Sequence, residues 1–410
     1  MLKNTALKSG FLGILLLATT VTSVGARQQE TEKPVDIHPY VVSANEFGFK
    51  LLKQITSEGL NGNVFISPSS ILFCLSMASS GAEGPTQDSM RAAMQLSRFT
   101  SSNINNHNSY LLKALAERDT NVRVNIANSL WLNQGYGLTT DFNKECRDDY
   151  LAQTFERDFR SDKTLKEINA WVSEKTNGRI NSILDRLNPD DVVILLNAMY
   201  FYGKWTFAFD STKTKAMPFF LLDGTEKRSP RMTQYHTFEY YENSKFQAIR
   251  LPYGDRFSMV IVLPRDRDGL PAFVRDIDSD NWEQWSSRFA RRPGFIGLPR
   301  FKSEYSVSLM NPLANMGMEI AFGNKANFQR MTTSPVYISN ILQKTFVDVN
   351  ERGTEAVAVT TIMAHPTSVL LNPPKPFEMI VDHPFFCIIQ DKTTGLILFE
   401  GAIVDPRGGA

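Results

Sequence analysis

The chain has 410 residues, 42% of them hydrophobic and 21% charged, and a formal net charge of +1. That is ordinary globular material without the signature of a disordered chain. A charge so close to zero gives no global field to draw in nucleic acid or an anionic membrane, so neither is expected as a partner.

At the N-terminus, Lys3 and Lys8 precede the apolar run FLGILLLATTV, and small residues lead up to Ala26. This is the pattern of a secretory signal, too short and wrongly flanked for a permanent span. Residues 1–26 read as a leader and 27–39 as a short tail. The mature protein is then secreted, extracellular or periplasmic. No later segment reaches the roughly 18 unbroken apolar residues that a spanning helix needs. No Asn-x-Ser/Thr sequon occurs, which points towards a bacterial rather than an animal export route.

The run SPSSILFCLSMASSGAEG reads as a helix started by Ser67 and Pro68, with Ile71, Leu72, Leu75 and Ala78 on one apolar face. In TLKEINAWVSEKTNGRI, Thr164 and Glu167 have the spacing of a capping box, Leu165, Ile168 and Val172 form a stripe, and Asn177-Gly178 supplies a stop. VVILLNAMYFYGKW is apolar and β-rich, a central strand covered on both faces, so Asn197 in its middle must find partners there. HPFFCIIQ and GLILFEGAIV, joined by DKTTG, read as a buried hairpin. These patterns interleave without a linker from residue 36 to 404, in an α+β arrangement, although length alone suggests two or three domains.

Catalytic chemistry is not legible. There is no G-x-S-x-G elbow, no H-E-x-x-H and no P-loop. Five histidines, at 38, 107, 236, 365 and 383, lack metal-ligand spacing, so no metal or cofactor is expected. His383 reads as structural, and the cluster Arg288, Arg291 and Arg292 as a solvated face, leaving no evident polyanion site. Of three cysteines, Cys74, Cys146 and Cys387, at least one must stay unpaired, and a disulfide framework is not expected. A secreted hydrolase is thus the weakest reading, and the protein is not expected to be an enzyme.

Nine stretches occur together that resemble the serpin family in its order. They are NVFISPSSI (63–71), GAEGPT (81–86), NSLW (128–131), INAWVSEKTNGRI (168–180), LLNAMYFYGKW (195–205), LPRF (298–301), ISNILQKTFVDVNERGTEA (338–356), DHPFFCII and LFEGAIVDP. The resemblance implies one large domain over residues 40–405, with three β-sheets, eight or nine helices and an exposed reactive-centre loop at about 351–375. It implies a monomeric suicide inhibitor of a serine protease. The protease cleaves the loop and is trapped as a covalent acyl-enzyme when the loop inserts as a new central strand.

The loop's residues suit that task. Alternate positions Thr354, Ala356, Ala358, Thr360, Ile362 and Ala364 are compact and uncharged, as an inward face requires. The opposite set carries the one charge, Glu355, and a one-residue slip would drive it inward. Gly353 frees the base of the hinge, and no proline interrupts the run before Pro366. The resemblance places Ser67, Ser70 and Asn197 in a hydrogen-bonded cluster beneath the sheet, where Gln343 replaces the family's usual histidine. It places Trp205 where the loop first enters, and Glu351 beside Arg300. Family spacing puts the scissile bond at Thr367-Ser368, with Leu370 and Leu371 as alternatives. No Lys or Arg occurs between Gly353 and Pro374, which argues against trypsin-like targets and for elastase-, chymotrypsin- or subtilisin-like ones. The rival reading is a non-inhibitory member, a carrier or chaperone cleaved without trapping, and Gln343 is the departure that keeps it open.

Overall fold

The computed structural model describes residues 36–117, 121–354 and 375–408. The first half holds helices α1 (His38–Ile55), α2 (Pro68–Ser80), α3 (Gly84–Ala93), α4 (Ser101–Leu115), α5 (Thr140–Tyr150) and α6 (Asp162–Lys175). Among them run strands β1 (Val64–Ile66), β2 (Val122–Asn133), β3 (Gln153–Arg157) and β4 (Val193–Lys204). Strands β5 (Lys215–Phe220), β6 (Glu226–Glu242), β7 (Phe246–Tyr253) and β8 (Phe257–Pro264) follow, then helices α7 (Leu270–Asp276) and α8 (Ser279–Ser286). Next come β9 (Ala290–Pro299), β10 (Phe301–Ser308), the short α9 (Met310–Leu313), β11 (Ile338–Asn350) and β12 (Gly353–Thr354). After residue 374 come β13 (Phe377–Ile380), β14 (Phe385–Asp391) and β15 (Ile397–Ile403).

By continuous hydrogen bonding these strands form two ladders. The six-stranded one has the order β10-β11-β12-β4-β2-β3, with β11 also pairing β4 directly. The nine-stranded one runs β1-β15-β14-β8-β7-β6-β9-β13, with β5 on β6. Strand β6 is 17 residues long and joins two sheet regions: residues 239–242 pair with β7 while residues 231–240 pair with β9. Both faces of the six-stranded sheet are covered. A cluster of Trp131, Phe159, Ile168, Val172, Ile194 and Leu196 seals it under α6, and the main core lies on the other side.

Strand β4 is buried from Val193 to Tyr200 on both faces, and β14 and β15 form the hairpin that the sequence suggested. Two local expectations are corrected. Helix α2 has no single apolar face, because all thirteen of its residues are buried. Its start is as read, at Ser67 and Pro68. Ser67 occupies the cap position, but its hydroxyl donates to the Leu398 carbonyl at 2.7 Å. Leu398 is the residue skipped in the β14–β15 register, so its carbonyl is free to attract that hydroxyl. The Thr164–Glu167 capping box does not form either. Ser161, three residues earlier, accepts from the Lys163 amide and starts α6, while Glu167 is taken by Arg157 in a two-point pair at 2.6 and 2.8 Å. The stop is as read: Asn177 and Gly178 have φ of 52° and 73°.

The three cysteines are free and buried, and desolvation pushes the Cys74 thiol up to about 12. His383 is buried, bridging the Asp382 carboxylate at 2.7 Å and the Pro264 carbonyl at 2.8 Å. Arg292 pairs with Glu242 at 2.9 Å, while Arg288 and Arg291 face solvent. No helix among the described residues is long and apolar enough to cross a membrane, and no cluster among them could hold a metal ion.

Candidate functional site: a parted central sheet

Strands β4 and β11 run parallel and pair directly from Ile338–Val193 to Thr345–Met199. Beyond that point they separate, and Gly353 and Thr354 occupy the gap. Thr354 pairs with Val349 on one side and Gly203 on the other; Gly353 lies between Asn350 and Lys204. The uncleaved chain thus already holds two residues of an additional strand between β4 and β11.

Gly353 is required for this. Its φ is +145°, and a Cβ there would stand 2.0 Å from the Gly203 carbonyl oxygen. The turn before it is pinned from below. The Trp205 amide donates to the Arg352 carbonyl at 2.9 Å, its indole N–H donates to the Asn350 carbonyl at 2.9 Å, and the Phe209 amide donates to the Glu351 carbonyl at 2.8 Å. Trp205 stacks on Tyr253 at 4.3 Å between centroids, and the Tyr253 hydroxyl lies 2.6 Å from Thr354 Oγ1. Burial pushes the Tyr253 phenol well above its usual range, against the Thr354 bond, so it stays neutral.

Arg300 meets Glu351 as the resemblance implies, with Nε and Nη2 at 2.8 and 2.6 Å from one carboxylate oxygen. Thr214 donates to the same oxygen. Burial pushes the Glu351 carboxyl up, but the Arg300 and Thr214 hydrogen bonds outweigh it and hold the group below the usual carboxylate range.

The second constellation lies at mid-sheet. Gln343 of β11 and Asn197 of β4 are register partners, and Gln343 Nε2 donates to Asn197 Oδ1 at 2.6 Å. Gln343 also clasps the start of α2: it accepts from the Ser67 amide at 2.9 Å and donates to the Ser67 carbonyl at 3.0 Å. The Asn197 amide donates to Ser70 Oγ and to Asn128 Oδ1. All five residues are buried. Gln343 therefore sustains a connected network, and its side chain cannot titrate.

The geometry sets a mechanical condition. Neighbouring strands lie about 4.8 Å apart, so a strand inserted between β4 and β11 would move them to about 9.6 Å. The Gln343–Asn197 bond must then break. It is a latch across the seam that the new strand would occupy.

Sequence reasoning missed three participants. Asn128 is reached only through the antiparallel register of β2 with β4. Thr214 and Tyr253 carry no motif signal and are brought in by tertiary packing. Glu355, Ala356, Ala358, Thr360, Thr367, Ser368, Leu370 and Leu371 lie outside the described residues. The chain returns at Lys375, whose carbonyl accepts from Arg292, and β13 then pairs with β9.

A family model described as Serpin (serine protease inhibitor) matches residues 42–406. The chain is 32% identical over 396 residues to an uncharacterized serpin-like protein of Thermococcus kodakarensis, covering 95% of this chain and 89% of that protein. It is 32% identical over 375 residues to iripin-8 of Ixodes ricinus, covering 88% and 92%. Among solved structures it resembles tengpin, a thermophilic serpin in the native state, with a TM-score of 0.84 and 27% identity over 92% of this chain and 96% of that one. It also resembles an Arabidopsis serpin in a native stressed conformation, with a TM-score of 0.80 and 26% identity, covering 91% of this chain and all of that one.

Proposed function

Since the chain belongs to the serpin family, whose members are generally inhibitors rather than catalysts, we propose that it is a suicide-substrate inhibitor of a serine protease. The target's serine oxygen bonds to the Thr367 carbonyl carbon, and the bond to the Ser368 nitrogen breaks, leaving a new amine on Ser368. The freed arm from Gly353 to Thr367, ester-linked to the protease, then threads between β4 and β11. Inhibitor and protease leave as one covalent complex. The leader at residues 1–26 fits an exported inhibitor acting outside the cell or in the periplasm, as a monomer.

The observation that carries this reading is the parted sheet. Gly353 and Thr354 are seated in the seam of the intact chain, with Thr354 only 1% exposed, so insertion extends a strand that has already begun. Alternate residues after Thr354 are small and uncharged, and so can be buried on the face that Thr354 occupies. The absence of Lys and Arg between Gly353 and Pro374 favours elastase-, chymotrypsin- or subtilisin-like targets over trypsin-like ones.

The test is incubation of the exported protein with elastase, chymotrypsin, subtilisin and trypsin, followed by denaturing gel and intact mass. The expected result is a covalent adduct with one of the first three and a released C-terminal peptide beginning at Ser368. A peptide beginning later moves the bond towards Leu370 or Leu371. Clean cleavage without adduct by every enzyme would overturn the inhibitor reading in favour of a non-inhibitory carrier or chaperone.

A further inference from the structure

Glu400 stands apart from every other carboxylate described. It lies in the middle of β15, directly between Ile66 of β1 and Ile388 of β14, and is fully buried. Neither carboxyl oxygen has a hydrogen-bond partner. Its side chain occupies space that opens because α1 carries glycine at position 48. A Cβ there would stand 3.0 Å from Glu400 Oε1 and 2.7 Å from the Pro68 Cβ. The carboxyl therefore sits in the joint between α1, the first residue of α2 and β15.

The surrounding elements offer it little charge. Strand β1 has no titratable side chain, α2 has only Cys74, and β14 has Cys387 and Asp391, the latter paired with Arg256. Of the charges on α1, Lys53 acts on Glu400, favouring ionisation, but burial dominates and pushes the carboxyl well above its usual range. Nothing in the protease-trapping chemistry uses this group. An apolar side chain would fill a row of isoleucines better.

Its place couples it to the latch. Pro68 follows Ser67, whose amide and carbonyl are held by Gln343 and whose hydroxyl is held by Leu398, two residues before Glu400 on the same strand. A charge at position 400 needs water or a partner, and the joint supplies neither unless α1 and α2 move off β15. Moving the start of α2 loosens the Gln343 clasp.

We propose that Glu400 is a pH-set release of the central sheet, an inference that rests on the insertion reading: the protonated carboxyl lets α2 stay docked, and its ionisation drives the joint open and speeds strand insertion. The direction is fixed by linkage. The closed joint holds the proton more tightly than the opened one, so each rise in pH above the ordinary carboxyl range favours opening, until the closed form itself ionises.

The experiment follows the uncleaved, full-length chain as it converts to a heat-stable, loop-inserted form, at a series of pH values from 6 to 9. Wild type is compared with Glu400→Gln and, should that variant fold poorly, Glu400→Met. Wild-type conversion should speed up by as much as about tenfold per pH unit while the carboxyl remains mostly protonated, because the ionised fraction grows at that rate. Conversion of both variants should be flat. Equal pH dependence in wild type and variants would overturn the proposal. Reversible unfolding in urea, read in parallel, separates the two ideas. If its pH slope vanishes in the variants while no protein ever yields a heat-stable form or a protease adduct, the insertion reading fails and takes the release role with it.

Discussion

Replacing Gln343 by methionine removes the latch with little change in side-chain length, and its cost can be worked from the network. The Ser67 amide and Asn197 Oδ1 each lose their bond to Gln343, whereas the Ser67 carbonyl keeps its bond from the Ile71 amide. Two buried groups left unpaired cost about 1–3 kcal/mol each, so the intact protein should lose about 2–6 kcal/mol. In the loop-cleaved form that the proposed insertion would produce, the Gln343–Asn197 bond would already be broken by the intervening strand. Only the Ser67 part is then at stake, about 1–3 kcal/mol. A unit of this size, at about 2.1 cal/mol/K per residue, shifts by about 1.3 °C per kcal/mol. Thermal unfolding in guanidinium should therefore show a fall of about 3–8 °C for the intact variant and about 1–4 °C for the cleaved one. The variant should also convert faster to the inserted form. Equal falls in both forms would refute the reasoning, since they would mean that the bond survives insertion and does not cross the seam.

Gly353→Ala should expel residues 353–354 from the seam, because its Cβ cannot pass the Gly203 carbonyl. Hydrogen exchange at the Thr354 amide should become fast, and unchanged protection would contradict the close approach. Glu351→Gln should cost about 1 kcal/mol near neutral pH, a modest figure because Arg300 is 45% exposed. The Glu351 carboxyl is held below its usual range in the folded chain, so its contribution is present above about pH 4.5 and is lost as pH falls through the folded value. The gap in Tm between wild type and variant should close on acidification from pH 6 to 3, and a constant gap would argue against the ion pair. If the protein traps its target as proposed, Thr360→Arg would bury a charge in the inserted strand, so cleavage should be retained and the adduct lost on a denaturing gel. Retained trapping would refute the register.

Much of the architecture was legible because its signals are local. The apolar run of β4, the β14–β15 hairpin and the Asn177-Gly178 stop are written in neighbouring positions, and the nine family stretches fix their order. What failed was also local in form but decided elsewhere. The single apolar face expected of α2 is absent because the rest of the fold buries that helix on every side. Thr164 and Glu167 had capping-box spacing, but Ser161 and Arg157 were better partners.

By itself, then, the sequence determined the family and the order of elements, since each rests on residue type and spacing along the chain. Only the tertiary structure decided that Gly353 and Thr354 lie between β4 and β11, that Gln343 bridges to Asn197, and that the Glu400 carboxyl has no hydrogen-bond partner. The first two are long-range pairings, whose register no local pattern encodes. The third depends on what surrounds a strand buried on both faces. There, no polar alternation marks which way a side chain points, and LFEGAIV alone cannot tell a paired carboxylate from an orphaned one.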